Sequence, residues 1–252
     1  MKSSILKVSL VSVVAPALIF LVAIGCGGGG GNETAAPPTR QPGSGGGPTR
    51  QPGSGRVIIG AATPLPTRSG DFATLCKKST EKQFTAPPVV IDPSRSYTAT
   101  IRTEKGDMTA ELNPKTAPVT VNSFVFLACA GFYDGVTFHR VIPGFVAQGG
   151  DPTGTGTGGP GYTIPDDFSD IPFTESTLGM AKTSAPNSGG SQFFICYDLS
   201  PESAGALNGN YTVFGKLTAG LDVLNSLTPR DPSTNPNAPP GDKILSISVQ
   251  EQ

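Results

Sequence analysis

The chain predicts a mainly β domain, a barrel of short strands with helical plugs, in about its carboxy-terminal two thirds. Three observations point there: apolar alternation from Ser96 onward, a matching alternation near the carboxy terminus, and only two segments of helical spacing between them. Tyr97, Ala99 and Ile101 share one face of an extended run. A turn follows around Lys105-Gly106, and Met108, Ala110 and Leu112 resume the pattern, so the two runs read as a β-hairpin. The next element is a helix beginning at Thr116 or Ala117, with Pro118 in the opening turn, where no N–H is needed. It carries Val121, Phe124, Val125 and Ala128 at helical spacing and stops at Gly131. A shorter helix, Leu221 to Leu227, sets Leu221, Leu224 and Leu227 on one side. Leu245, Ile247 and Val249 then alternate with Ser246 and Ser248, giving a last strand able to pair with the first and close the barrel.

The amino-terminal part follows other rules. Lys2 and Lys7 precede an apolar stretch from Val8 to Ile24 and then Gly25-Cys26, the layout of a secretory signal over residues 1–25. Leu21-Val22-Ala23-Ile24-Gly25-Cys26 resembles a bacterial lipobox, with Ala23 departing from the usual leucine. That resemblance implies a lipid on Cys26 after cleavage; an uncleaved helix is the other reading, since the stretch only just reaches spanning length. Both send the rest of the chain across the membrane, so the domain is expected to be exported, anchored, and facing the extracytoplasmic side. After Cys26 come five glycines, then Pro38-Thr39-Arg40-Gln41-Pro42-Gly43-Ser44-Gly45, repeated unchanged from Pro48 to Gly55. Glycine keeps the backbone free, proline blocks helix and sheet, and few large apolar groups offset the entropy of ordering, so residues 26–85 read as an anchor cysteine and flexible tether. Within it, residues 57–84 are intermediate: they either pack on the domain or stay loose.

Composition removes several function classes. A formal net charge of -1 without a basic run offers no field for phosphate backbones, so nucleic acid is not an expected partner. The one histidine argues against a zinc site, and no cofactor is expected. It also makes a serine or cysteine hydrolase hard to assemble. With Cys26 taken by lipid, Cys76, Cys129 and Cys196 leave at least one free thiol; Cys129 and Cys196 lie in apolar surroundings and read as small buried hydrophobes, Cys76 as the exposed candidate for reactivity.

Chemistry concentrates in three ordered blocks. Phe138-His139-Arg140-Val141-Ile142-Pro143-Gly144-Phe145-Val146-Ala147-Gln148-Gly149-Gly150-Asp151 gathers a permanent cation, aromatics and an amide; Gly190-Ser191-Gln192-Phe193-Phe194-Ile195 repeats aromatic plus amide; Tyr211-Thr212-Val213-Phe214-Gly215 follows. Together they resemble the signature of the cyclophilins, over about residues 86–252. The resemblance implies a closed antiparallel eight-stranded β-barrel capped by two α-helices, and a peptidyl-prolyl cis-trans isomerase acting as a monomer on proline-containing polypeptides, here exported proteins still folding. A binding module that captures proline segments with little turnover is the alternative.

The resemblance also implies roles for residues. Rotation about a peptide bond faces ~18–20 kcal/mol, and for proline the isomers interchange over ~10–100 s. In the twisted state the nitrogen regains a lone pair, which a fixed donor stabilises there and nowhere else. Arg140, always charged, fits that task. Phe145, Val146, Phe194, Leu207 and Tyr211 are expected to form the apolar pocket for the proline ring, and Gln148 to hold the carbonyl that swings or the peptide near it. Gly156, Ala181, Lys182 and Gln192 are expected along the groove for the flanking backbone. By strand alternation Phe138 and Phe193 belong to the core, and His139 is structural. Val146, Lys182, Tyr211 and Ala206 depart from residues common in the family; Ala206 replaces an indole donor, which implies weak cyclosporin binding. Gly154-Thr155-Gly156-Thr157-Gly158-Gly159-Pro160-Gly161 lacks the Lys-Ser or Lys-Thr of a phosphate loop and reads as a tight loop beside the groove.

Overall fold

The computed structural model describes residues 64–235 and 237–252, so the expected signal segment, Cys26 and the proline-glycine repeats lie outside the described residues. The strands are β1 (Tyr97–Thr103), β2 (Gly106–Leu112), β3 (Arg140–Ile142), β4 (Val146–Gly149), β5 (Thr177–Met180), β6 (Phe193–Cys196), β7 (Thr212–Ala219) and β8 (Ile244–Glu251). The helices are α1 (Phe72–Leu75), α2 (Pro118–Cys129), α3 (Pro201–Leu207) and α4 (Leu221–Ser226).

All eight strands belong to one sheet in the order β3-β4-β6-β5-β7-β2-β1-β8, and every pairing is antiparallel. The β1–β2 hairpin forms as expected, with Ile101 opposite Met108 and Ala99 opposite Ala110, all fully buried. Its turn is held by Thr103, whose hydroxyl donates to the Gly106 carbonyl at 2.8 Å and accepts from the Lys105 N–H at 3.0 Å. β8 pairs with β1, but the register shifts between Arg102 and Thr103. That irregularity turns Ile244 inward and leaves Leu245 47% exposed, so the simple alternation expected for Leu245 does not hold.

The barrel is not closed by a ladder. Its sheet is a curled half-barrel whose ends are β3 and β8, and the seam carries an isolated bridge, Thr137 with Lys243. The reason is local: the outer edge of the three-residue β3 is already taken by Arg230, which exchanges two backbone hydrogen bonds with Val141 at 2.7 and 2.9 Å. Residues preceding β3 lace the seam instead, through Phe138 N–H to the Asp242 carbonyl and Ile244 N–H to the Val136 carbonyl.

α2 packs into the main core beside β7 and β8 and is buried nearly all round, which its composition allows because it has no charged residue. Gly131 follows its end at φ +69°, the left-handed conformation that favours glycine. Two helices were expected and four are present among the described residues. α3 carried readable start signals: Ser200 caps it by accepting from the Ser203 N–H at 3.2 Å, Pro201 opens it and Glu202 sits in the first turn. In α4, Leu224 is buried, as is Leu227 just beyond it, but Leu221 is exposed.

Of residues 57–84, read as either packed on the domain or loose, the described ones pack on it. Residues 64–85 form a strap laid against the barrel. Phe72 in α1 meets Tyr97 at 5.7 Å between ring centroids, and Phe84 meets Phe126 edge-on at 5.0 Å. Arg68 pairs with Glu251 at the end of β8. The Lys82 ammonium donates to the carbonyls of Gly131 and Phe132 at 2.6 and 3.0 Å. Cys76 is joined to Cys129 at the end of α2 by a disulfide, with Cα atoms 4.7 Å apart, and Cys196 is the buried free cysteine. Cys129 is therefore a covalent anchor and Cys76 is not reactive, while among the described residues one thiol, Cys196, remains.

A disulfide bridging 53 positions should raise stability by about 4 kcal/mol through the entropy of the unfolded chain. Reduction should therefore lower the urea midpoint of the folded protein and expose the strap to proteolysis. An unchanged midpoint and an uncut strap would show that the noncovalent contacts alone hold it.

Candidate active site

Strand register places the site. Across the sheet, Arg140 in β3 stands opposite Gln148 in β4, Gln148 opposite Phe194 in β6, Phe194 opposite Gly179 in β5, and Gly179 opposite Val213 in β7. The neighbouring row is Val141, Ala147, Ile195 and Leu178, all at most 1% exposed and part of the main core. Side chains alternate between faces with period two, so the first row must face away from that core. Phe193 joins the core with Phe138, as alternation predicted, and Phe194 does not.

On that second face a separate apolar cluster forms from Val146, Phe173, Phe194, Cys196, Leu207 and Val213, with Phe145, Ala181, Leu199 and Tyr211 packed against it. It unites all the expected pocket residues, which come from three strand regions and α3. Phe194 is held between Phe173, stacked at 5.5 Å, and Tyr211, edge-on at 5.7 Å. Its ring lies over Gly179, where an added methyl would overlap the ring itself. Phe173, Val213, Cys196 and Gly179 were not anticipated. Phe173 stands in an irregular segment with no periodicity to mark it, whereas Val213 follows from the same alternation that selects Phe194.

Arg140 sits at the edge of this cluster. Its guanidinium carbon lies 5.7 Å from the Phe145 ring centroid, a cation–π contact, and its side chain is 25% exposed. Nε is 3.7 Å from the Asp231 carboxylate, longer than a charge-assisted hydrogen bond. Among the described residues no hydrogen bond occupies the guanidinium N–H groups. The cation is oriented from one side and remains available on the other.

Gln148 and Gln192 are linked, the Gln148 side-chain N–H donating to Gln192 Oε1 at 2.9 Å. Gln192 in turn donates to the carbonyls of Gly156 and Gly158 at 3.0 and 2.9 Å. That glycine-rich loop is built around Asp151, which is fully buried. One carboxylate oxygen accepts from the Thr153 N–H and hydroxyl at 2.7 and 2.8 Å; the other accepts from the N–H groups of Thr155, Gly156 and Gly158 at 3.1, 2.6 and 3.1 Å. Burial by itself would raise the Asp151 pKa, but these donors outweigh it and hold the carboxyl below its ordinary value. Asp151 was missed as a functional residue, although Asp followed by Pro, Thr and Gly is an Asx-turn signal.

The remaining expected residues divide. Ala181 is in the cluster, and its N–H donates to the Gln192 carbonyl at 2.9 Å. The Lys182 ammonium is instead held by Asp166 at 3.5 Å, the Ala185 carbonyl at 3.3 Å and the face of Phe168, so only its backbone is left to line a groove. Ala206 is exposed beside buried Leu207; Thr183 and Ser184, unassigned from sequence, are both exposed. His139 is 4% exposed, its Nδ1 has no hydrogen-bond partner among the described residues, and burial lowers its pKa to about 4. Burial likewise pushes the Cys196 thiol up to about 12, which keeps it protonated and inert.

Comparison with known proteins identifies the family of the chain. The family described as cyclophilin type peptidyl-prolyl cis-trans isomerase/CLD matches residues 98–249. A peptidyl-prolyl cis-trans isomerase of Synechococcus elongatus is 46% identical over 153 residues, covering 60% of this chain and 94% of that protein. Peptidyl-prolyl cis-trans isomerase B of Bacillus subtilis is 52% identical over 122 residues, covering 48% and 82%. Among solved structures, a cyclophilin type peptidyl-prolyl cis-trans isomerase of Cryptosporidium parvum superimposes with a TM-score of 0.56 at 36% identity, covering 62% of this chain and 99% of that one. The same protein has been crystallised in the presence of the dipeptide Ala-Pro.

The buried imidazole makes stability depend on pH. Its pKa is lowered from 6.5 to about 4 on folding, so between those values the unfolded chain binds more protons than the native one. Its contribution is complete above pH 6.5 and is lost as pH falls towards 4, by roughly 3 kcal/mol at the limit. Replacing His139 with Gln should flatten this part of the stability–pH curve measured by denaturant unfolding. An unchanged slope would mean that another group carries it.

Proposed function

The chain belongs to the cyclophilin-type peptidyl-prolyl cis-trans isomerases, and from that premise we propose that it isomerises prolyl bonds in exported, incompletely folded proteins at the outer side of a membrane. The observation that carries the catalytic part is the row Arg140, Gln148 and Phe194 beside one apolar cluster. The proline ring of a substrate would lie on Phe145, Val146, Phe194, Leu207 and Tyr211. Gln148 would hold the adjoining peptide group while the imide turns. The Arg140 guanidinium, with no hydrogen bond among the described residues, would donate to the pyramidal nitrogen of the half-rotated state. Gly156, the Ala181–Lys182 backbone and Gln192 would border the flanking substrate chain.

The magnitudes fit a shared task. Bringing a step of ~10–100 s to milliseconds requires ~10⁴-fold acceleration, or ~5.5 kcal/mol, and one charge-assisted hydrogen bond supplies ~1.5–3 kcal/mol. The remainder falls to the apolar wall, which fixes the ring while leaving the carbonyl side free to rotate. The alternative, a groove that captures proline segments with little turnover, draws on the Asp231 carboxylate 3.7 Å from Arg140 Nε, which competes for the cation. Arg140→Ala separates the two readings in a protease-coupled proline-peptide assay. Loss of roughly 10- to 150-fold in kcat/KM with peptide binding retained supports the isomerase. A wild type that is already slow supports the capture module.

Export and anchoring rest on the amino-terminal sequence, with lipid proposed on Cys26. The Cys76–Cys129 disulfide supports the same reading, since such bonds persist in oxidising compartments. Cys26→Ala should abolish incorporation of labelled fatty acid and move the protein from the membrane to the soluble fraction. Retention of the label in that variant would refute attachment there.

A further inference from the structure

We propose that Asp151 is a positioning residue for the isomerase, acting through the loop 153–158 and Gln192 to set which end of the Gln148 amide faces the substrate. The inference rests on the role given to Gln148 above. It begins with the polarity of hydrogen bonds. An amide side chain has an oxygen that only accepts and a nitrogen that only donates, and neighbouring groups decide which way each lies. Gly156 and Gly158 present two carbonyl oxygens within 3.0 Å of the same Gln192 nitrogen. Both of its N–H groups are thereby used, and Gln192 must turn its oxygen towards Gln148. Gln148 must then answer with its nitrogen, at 2.9 Å, which leaves its oxygen and one N–H for the groove. The polarity of a substrate-facing amide is thus written two residues back, by loop carbonyls.

Those carbonyls converge only because Asp151 gathers the loop. Gly154 and Gly156 take φ of +68° and +89°, and the single backbone–backbone bond within residues 151–158 is Gly154 N–H to the Asp151 carbonyl. The two carboxylate oxygens separately collect Thr153 and the Thr155, Gly156 and Gly158 N–H groups; outside the carboxylate the loop is linked by the Thr153, Thr155 and Thr157 hydroxyls and by a longer bond of 3.4 Å from the Thr157 N–H to the Thr155 hydroxyl. An amide in that place has one oxygen for two sets of donors, and its NH₂ would oppose backbone N–H groups. Asp151→Asn is therefore nearly the same size but cannot build the same loop.

The test is a double-mutant cycle on the full chain with a proline-peptide assay, joined to side-chain amide proton exchange by NMR. In wild type the Gln148 side-chain amide proton held by Gln192 should exchange slowly; in Asp151→Asn it should exchange faster and kcat/KM should fall on the order of tenfold. In a Gln192→Ala background the same Asp151 change should alter kcat/KM by less than about twofold, because the link is already cut. An equal loss in both backgrounds, or unaltered Gln148 exchange, overturns the proposal. Should Asp151→Asn fail to fold, Gly158→Ala enters the cycle in its place, its methyl overlapping Asp151 Oδ1 from the loop side. A wild type without isomerase activity would defeat the functional reading alone, since amide exchange still decides the relay.

Discussion

Period-two alternation of side chains across one antiparallel register is the constraint on which the rest of this molecule depends. Because Arg140, Gln148, Phe194, Gly179 and Val213 lie in one row, whatever faces the solvent side at one strand does so at all five. A slip of one residue in any pairing would exchange Phe194 for Phe193 or Ile195 and send the cation's neighbours into the core. The same alternation gives the domain two apolar assemblies on a single sheet. The larger packs α2 and stabilises the fold; the smaller lies on the opposite face, where the proposed substrate ring would dock.

Polar groups then set what the row alone cannot. Sheet geometry brings Gln148 near the pocket but does not choose between its oxygen and its nitrogen. That choice comes from a loop outside the sheet, stabilised by a buried carboxylate whose burial cost is offset by six donors. The loop continues into residues that the strap grips: Gln83 donates to the Gly159 carbonyl at 3.0 Å, and the Phe84 N–H to the Pro160 carbonyl at 2.7 Å. The strap in turn is tied by a disulfide to the central helix. Covalent anchoring far from the pocket and hydrogen-bond polarity within it are parts of one connected support.

Much of this was legible in the residues. The hairpin, the plug helix and the pairing of first and last strands followed from periodicity, since one face of each element must be apolar. The expected pocket members Phe145, Val146, Phe194 and Tyr211 stood in recognisable blocks, and Leu207 just ahead of the third. Harder to read were features whose cause is distant in sequence. Phe173 has no local pattern, and Leu245 is displaced by a register shift that depends on its partner strand. Lys182 looked like a groove residue until Asp166, brought close by folding, claimed its charge.

The sequence by itself determined the fold class, the family and the chemical kinds gathered at the site, because periodicity and motif are properties of neighbouring residues. Only the tertiary structure decided that the sheet stays open, that Cys76 finds Cys129, that residues 64–85 belong to the folded body, and which way the Gln148 amide points. Each of these depends on a distance between groups far apart along the chain, and such distances exist only once the backbone has closed on itself.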